Sequence, residues 1–322
     1  MARLNIMIGI PGSGKTKYAK INLLNENTVY LSSDDIRVDM FGFEDQTHNA
    51  EVFERMKRET LTALQNGFDV VYDATNLNKK RRSDIIKRAK IYGAEVNAYL
   101  CCTPINIILE RNLTRQERQI PWDKLVQMIQ SIEPPMYYEG FDNIYLINGG
   151  MYNDVYNYND LLKKYENYYQ FNPYHHETLA EHMMAVAKKA EELSNSLKNG
   201  VDRNILWQAA RYHDTGKPYT KQFNTEKGYS TYYGHERVSA YMYMCHVRKQ
   251  QMVDKLNRVR LSDSSYQIGA LILNHMEWYR REDMTSIKEM FNDDDLYHML
   301  KLLHEADIWG RNENAIQKKG EF

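Results

Sequence analysis

Cysteine is scarce in this chain. Cys101, Cys102 and Cys245 are the only three in 322 residues. An odd, sparse set with no metal-type spacing excludes a disulfide framework and points to a reducing cytoplasm. An excess of one charge is also lacking. The chain has 42 Lys and Arg against 43 Asp and Glu, and residues 1–148 hold 19 of each. Neither half is therefore a basic nucleic-acid clamp, and any such contact must be local, in a cleft or at a strand end. Long apolar runs are missing too: the opening MARLNIMIGI is too brief for a signal or membrane span. No internal repeat or extended low-complexity tract is present. The length predicts two domains, each large enough for its own core.

What is there begins with Gly9-Ile10-Pro11-Gly12-Ser13-Gly14-Lys15-Thr16. A strand-like run, 4–8, precedes it and a helix-like run, 17–24, follows. That context makes G-x-x-x-x-G-K-[ST] a phosphate site. Gly12, Ser13 and Gly14 let consecutive N–H groups face a phosphate chain, and the following helix adds its dipole. Lys15 is expected at the β/γ-phosphates and Thr16 at Mg²⁺, so the chain is expected to bind ATP or another nucleoside triphosphate.

Apolar runs at 4–10, 28–32, 69–74, 95–101 and 144–147 alternate with helical patterns at 50–66, 80–92, 104–115 and 123–131. Alternation of this kind predicts an α/β domain with a parallel sheet, helices on both faces and ligands at the carboxyl ends of strands. Three pieces lie at such ends. In Ser33-Asp34-Asp35-Ile36-Arg37 a carboxylate could take the proton of an attacking hydroxyl, with an arginine one turn on for an anionic group; an N-cap and a solvated turn would look the same. Asp73 is placed to orient Mg²⁺ through water. Arg111 and Arg115, spaced i, i+4, could lie on one helix face over a triphosphate, although such a pair equally makes a solvated face. The run Lys79-Lys80-Arg81-Arg82 starts a helix, where cations oppose the dipole, so something must compensate.

Nine of the ten histidines fall between His175 and His304. A Tyr- and Asn-rich segment, 148–169, separates them from the first half; it contains Gly149-Gly150 and reads as a turn followed by a docking helix at 160–168. The expected organisation is 1–148, a linker at 149–171, and 172–322. In the last part, His182, His213-Asp214, His275 and Asp307 each share a helical face with apolar residues, and His235 lies between. Each polar group thus points inward. Burying them all without a ligand would need a separate hydrogen-bond solution for each, whereas one or two metal ions satisfy them together. Imidazole and carboxylate ligation suits Mn, Fe, Co, Ni or Zn with water as nucleophile.

GIPGSGKT, LSSDDIR, DATNLNKKRR and RNLTRQERQIP with EGFDNIYLI resemble the kinase domain of 5′-hydroxyl polynucleotide kinases of the bacteriophage type, over about 3–148. The resemblance implies an α/β P-loop kinase fold, Lys15 and Thr16 on phosphates and metal, and Asp34 as base on the 5′-OH. It also implies Arg37 on the acceptor phosphate, Arg115 on the transferring phosphoryl and Arg111 near the nucleotide. Spacing alone does not choose between Asp34 and Asp35. NPYHHETLAEH, HDTGKP, YYGHERVSA and HEADIWGR resemble the HD superfamily of metal-dependent phosphohydrolases, especially the HD domain of some CCA-adding tRNA nucleotidyltransferases, over about 172–311. An all-α HD domain is implied, with His182, His213, Asp214 and Asp307 on a first metal, Asp214, His235 and His275 on a second, and Lys217 on substrate phosphate. His175 and His176 either line the entrance or are surface residues, and His246, His298 and His304 are structural.

The D-x-D-G-T phosphatase block of the bacteriophage relatives is absent. The combination implies healing of broken RNA or DNA ends: 5′ phosphorylation by the first domain, and removal of 2′,3′-cyclic, 2′- or 3′-phosphate by the second. No ligase lysine motif is seen, so sealing would fall to a separate RNA ligase. The competing readings are a small-molecule (nucleoside) kinase fused to an HD nucleotidase and a nucleotide-sensing regulator.

Overall fold

The computed structural model describes residues 1–42, 47–115, 119–148, 150 and 155–311. Gly149 of the expected turn lies outside the described residues, as do 312–322. Two compact units are present. The first comprises 1–120, 134–153 and 248–261, and the second 121–133, 154–247 and 262–322.

Unit 1 is built on strands β1 (Arg3–Ile8), β2 (Thr28–Ser32), β3 (Asp69–Asp73), β4 (Glu95–Cys101) and β5 (Asn143–Ile147). Helices α1 (Lys15–Asn22), α2 (Ser33–Phe41), α3 (Asn49–Gln65), α4 (Lys79–Ile91) and α5 (Ile105–Thr114) connect them. Strand order is β2-β3-β1-β4-β5, all parallel. Met7, Val71, Tyr99 and Cys101 form one core face with Tyr18 and Ala19 of α1. The alternate residues Leu4, Ile6, Val70, Val96 and Leu100 are buried on the other face, as the period of two requires. The expected parallel sheet is thus present, with ends shifted by a residue or two.

One strand was not legible. Arg258–Arg260 pairs antiparallel with β5, matching Tyr145 to Arg260 and Ile147 to Arg258. It covers what would be an open edge. Arg258 holds it there, donating to Tyr99 Oη at 2.7 Å and lying 3.8 Å from the Tyr145 ring centroid.

Unit 2 contains α6 (Trp122–Gln130), the helix expected to continue the first half, and α7 (Tyr158–Tyr165), the docking helix. It continues with α8 (Leu179–Leu193), α9 (Gly200–Tyr212), α10 (Lys217–Thr220), α11 (His235–Gln250), α12 (Asp263–Asn274), α13 (Glu277–Arg280), α14 (Thr285–Phe291) and α15 (Asp294–Trp309). Its departure from an all-α domain is a hairpin, Gln222–Asn224 with Tyr229–Thr231. Helices α8, α9, α12 and α15 pack together. Each starts at a side-chain cap: Thr178, Asn199, Ser262 and Asp293 accept from backbone N–H groups three residues on. Capping of this kind is worth about 1 kcal/mol per helix. No helix among the described residues is long and apolar enough to cross a membrane.

Candidate active sites

In unit 1 the loop after β1 wraps tightly. At Gly9 an added Cβ would sit 2.7 Å from Ser13 Oγ and 3.2 Å from Cys101 Cβ, so only glycine fits. Gly14 caps α1 in the left-handed region at φ 100. The end of β4 braces the loop, because Thr103 Oγ1 donates to Ser13 O at 2.7 Å. Ser13 Oγ is buried with no hydrogen-bond partner, an orphaned group facing the cradle. Lys15 is buried, its Nζ donating to Ile10 O at 3.3 Å. Burial pushes its pKa down, the charges of Asp73 and Asp34 oppose that, and Arg115 adds to the lowering.

Thr16 Oγ1 donates to Asp73 Oδ2 at 2.7 Å, and Tyr30 Oη donates to the same oxygen at 2.7 Å. A hydroxyl on a carboxylate beside a phosphate cradle is the donor set that suits Mg²⁺. Ser32 caps α2 by accepting from Asp35 N, so the backbone of the second aspartate is used in the cap. Asp34 instead accepts from Arg37 Nη1 at 3.1 Å. Arg37, expected on an acceptor phosphate, is only 2% exposed. Its Nη2 donates to Asn49 Oδ1 at 2.7 Å, while Nε has no hydrogen-bond partner.

One expectation needs correction. Arg111 and Arg115 do not share a helix face: α5 ends at Thr114, and Arg115 is its C-cap with extended backbone, φ −74 and ψ 120. Arg111 instead clamps the P-loop, Nη1 donating to Gly12 O at 2.8 Å. The compensation expected for the basic run comes in part from within the fold. Arg82 is fully buried and makes a bidentate pair with Glu139 at 2.8 and 2.7 Å, with a third bond to Asn76 O at 2.9 Å.

In unit 2 the six expected ligands converge. Ligand atoms of His182, His213, Asp214 and Asp307 lie within 4.8 Å of one another, as do those of Asp214, His235 and His275. All are buried. Asp214 is the hinge between the two groups. Its Oδ2 is 3.2 Å from His182 Nε2 and 3.3 Å from His213 Nε2, and its Oδ1 is 3.1 Å from His235 Nε2 and 3.8 Å from His275 Nε2. Asp307 Oδ1 is 3.1 Å from His182 Nε2.

The ring orientations are informative. Nδ1 of His213, His235 and His275 each faces the carbonyl three residues back, Ala210, Tyr232 and Ile272, at 2.8, 2.8 and 2.7 Å. Nδ1 of His182 faces Gly310 O at 3.1 Å. These contacts hold a proton on Nδ1 and turn each Nε2 inward, the ring orientation a metal ligand needs. His235 Nε2 and His275 Nε2 lie 3.2 Å apart, a contact in which one ring can donate only by giving up its Nδ1–H or by carrying a second proton. His213 Nε2 is buried without a hydrogen-bond partner. A cation satisfies all of these atoms, so the donor set fits one or two divalent ions.

Charge follows the same geometry. Burial opposes protonation of His182 and His213, but Asp214 and Asp307 outweigh it and raise them to about 10 and about 9. His275 is lowered to about 3 by burial and by its histidine neighbours. Asp214 stays well below the carboxylate range despite burial, held by His213 and Lys217. Lys217 Nζ lies 2.6 Å from Asp214 Oδ2 and donates to Gln170 Oε1 at 2.7 Å.

Tyr279 had no motif to announce it, and Glu177 and Arg311 lie in the NPYHHETLAEH and HEADIWGR blocks without being expected at the site. Tyr279 Oη donates to Asp307 Oδ2 at 2.7 Å, and Arg311 donates to Tyr279 Oη at 2.5 Å. Glu177 Oε1 lies 2.7 Å from His175 Nδ1 and 3.4 Å from His182 Nδ1. His175 is therefore beside the cage. His246 and His304 are half-buried, with their rings against Tyr212 and Trp278.

Residues 4–135 match the family model of an AAA domain, and residues 179–308 match that of an HD domain. L-seryl-tRNA(Sec) kinase of Methanococcus maripaludis is 28% identical over 139 residues, 41% of this chain and 53% of that protein. The chain thus spans about half the length of this curated relative. A chain of the Pnkp1/Rnl/Hen1 RNA repair complex is 23% identical, covering 41% of this chain and 44% of that one, at TM-score 0.37. A chain of the PezAT toxin–antitoxin system of Streptococcus pneumoniae is 18% identical, covering 46% and 68%, at TM-score 0.36. With a phosphate cradle in one unit and a histidine–aspartate cage in the other, the chain joins an AAA-type P-loop kinase domain to an HD domain.

Proposed function

We propose that the chain is a bifunctional enzyme that heals broken nucleic-acid ends, with RNA as its principal substrate. In the kinase unit, the P-loop amides and Lys15 would hold the β/γ-phosphates of ATP, and Thr16 with Asp73 would hold Mg²⁺. Asp34 would accept the proton of a 5′-hydroxyl as its oxygen bonds to the γ-phosphorus and the bond to ADP breaks. Arg37 would orient Asp34, and Arg115 would neutralise charge on the transferring group. In the HD unit, His182, His213, Asp214 and Asp307 would hold one divalent ion, and Asp214, His235 and His275 a second. Such ions supply Lewis acidity and a water acidic enough to attack a phosphate ester. Lys217, already at the cage, would meet the phosphate of a 2′,3′-cyclic, 2′- or 3′-phosphate end.

The observation that carries the reading is the pair of facing imidazole nitrogens, His235 and His275 at 3.2 Å, within a cage whose other rings also turn Nε2 inward. The SDDIR and DATNLN blocks favour a strand over a free nucleoside as acceptor. The test is an RNA with a 2′,3′-cyclic phosphate and a 5′-OH, incubated with ATP and Mn²⁺ or Ni²⁺, followed by end analysis. A 5′-phosphate and a 3′-hydroxyl are expected. Phosphorylation of nucleosides in preference to the strand would replace this reading with the small-molecule kinase.

A further inference from the structure

Unit 2 carries a second concavity beside the cage, a groove of about 630 Å³ whose lining includes Tyr169, Gln170, Phe171, His175, Phe223 and Tyr229. Its rim is aromatic and solvent-facing: Tyr169 is 53% exposed, and Phe171 and Phe223 are each 65% exposed. Phe171 adopts φ 51, a left-handed conformation that a bulky side chain takes only at a cost. Its backbone is locked there because Ser230 N, on the hairpin, donates to Phe171 O at 2.9 Å. Strain that holds a large apolar ring in water calls for a use outside the fold's own packing.

Two links join the groove to the cage. His175 packs edge-on against His182, with ring centroids 4.6 Å apart. Gln170 is 1% exposed and gives its Oε1 to Lys217, while its Nε2 is buried with no hydrogen-bond partner. The lining residue Gln170 thus carries an amide donor that the fold itself leaves unused. Cations flank the rings: Lys221 Nζ is 4.4 Å from the Phe171 centroid, and Lys227 Nζ is 6.0 Å from that of Tyr229. Flat apolar faces, ammonium groups and an amide donor together match a base and its phosphodiester. A lipid or an aliphatic peptide would want an apolar floor without the cations.

We propose that this groove is a stacking platform for the terminal bases of the single strand whose 3′ phosphate enters the cage. The inference rests on the reading of the cage as a phosphate-ester hydrolase. Its test uses full-length, Mn²⁺-loaded protein, wild type, Phe171→Gly and Phe223→Ala. Each is titrated with a 5′-phosphorylated RNA ending in 3′-OH and carrying 2-aminopurine as its last base. Each is also assayed on the matching 3′-phosphate strand and on p-nitrophenyl phosphate, which has no base. Wild type is expected to quench the fluorophore. Each substitution is expected to weaken strand binding about tenfold and to raise the ratio of strand KM to small-ester KM by about the same factor. Phe171→Gly should melt no lower than wild type, since glycine relieves φ 51 and the lost ring was mostly exposed. A purely structural Phe171 predicts the opposite: a lower melting temperature with unchanged affinity. Undiminished quenching and an unchanged KM ratio in both variants would overturn the platform. Failure of wild type to hydrolyse the small ester would overturn the hydrolase reading instead, and quenching would still decide the platform.

Discussion

Replacing Asp34 by Asn separates chemistry from folding and from nucleotide binding in the kinase unit. The Asp34 side chain is 58% exposed, and its ion pair with Arg37 is worth about 0–1 kcal/mol at such a site. Arg37 keeps its bonds to Ser33 O at 3.2 Å and Asn49 Oδ1 at 2.7 Å, so the guanidinium is not orphaned by the change. The P-loop amides, Thr16 and Asp73 are untouched, and ATP affinity should stay within about twofold. Loss of a positioned base, by contrast, typically costs about 10²–10⁴ in rate, or roughly 3–5 kcal/mol of barrier. The expected pattern is kcat for phosphoryl transfer to a 5′-OH oligonucleotide down by at least about a hundredfold, with Kd for ATP and the melting temperature nearly constant. Asp35→Asn is the companion. Asp35 contributes its backbone N–H to the Ser32 cap, which substitution preserves, so its kcat should fall only a few-fold. Turnover of Asp34→Asn within tenfold of wild type would refute the assignment, as would a parallel loss of ATP binding.

Three further outcomes follow from the same geometry. Asp214→Asn should strip the HD unit of divalent ion and of phosphate-ester hydrolysis, because its two oxygens face different histidine pairs, while exposed Asp283→Asn should leave both intact; metal content after dialysis checks this, and wild-type content in Asp214→Asn would remove the cage. Gly9→Ala pushes a methyl to 2.7 Å from Ser13 Oγ, and an overpacking cost of about 1–3 kcal/mol predicts ATP binding about 5- to 150-fold weaker by calorimetry. Glu139→Ala leaves the buried Arg82 guanidinium unpaired and should cost about 3–5 kcal/mol in denaturant unfolding, most of it recovered by Arg82→Met with Glu139→Leu. Equal stability of the single and double variants would contradict a buried ion pair.

The cradle was readable because its chemistry is local: eight consecutive residues between a strand and a helix carry the whole backbone path. The cage was readable for a different reason. A histidine or aspartate placed on an apolar helical stripe conflicts with burial, and one such conflict on each of four helices has a common resolution. What stayed hidden depends on contacts between distant residues. Arg258–Arg260 is too short to show a period, and its partner β5 lies more than a hundred residues upstream. Arg82 looks like part of a solvated run until Glu139, 57 residues on, closes over it. Arg115 has helix-face spacing from Arg111, but the helix stops one residue earlier. Gln170 and Tyr279 touch Lys217 and Asp307 without belonging to any motif, and Glu177 touches His182 from within a block whose spacing does not mark it.

Charge balance explains why the cage calls for ions in addition to protons. The two carboxylates already have cationic neighbours: Lys217 lies 2.6 Å from Asp214, and Arg311 lies 3.4 Å from Asp307. Added protons on His182 and His213 would answer the same two carboxylates again. They would leave His235 Nε2 and His275 Nε2 in contact at 3.2 Å in a buried site with no cation between the rings. Burial and its histidine neighbours lower the proton affinity of His275, so its lone pair stays available. A divalent ion accepts both lone pairs without a second acidic partner, and Asp214 Oδ1 already lies at its edge. The fold has thus placed a histidine of low proton affinity where an imidazole lone pair must stay available, which is the requirement of a ligand and not of a packed core residue.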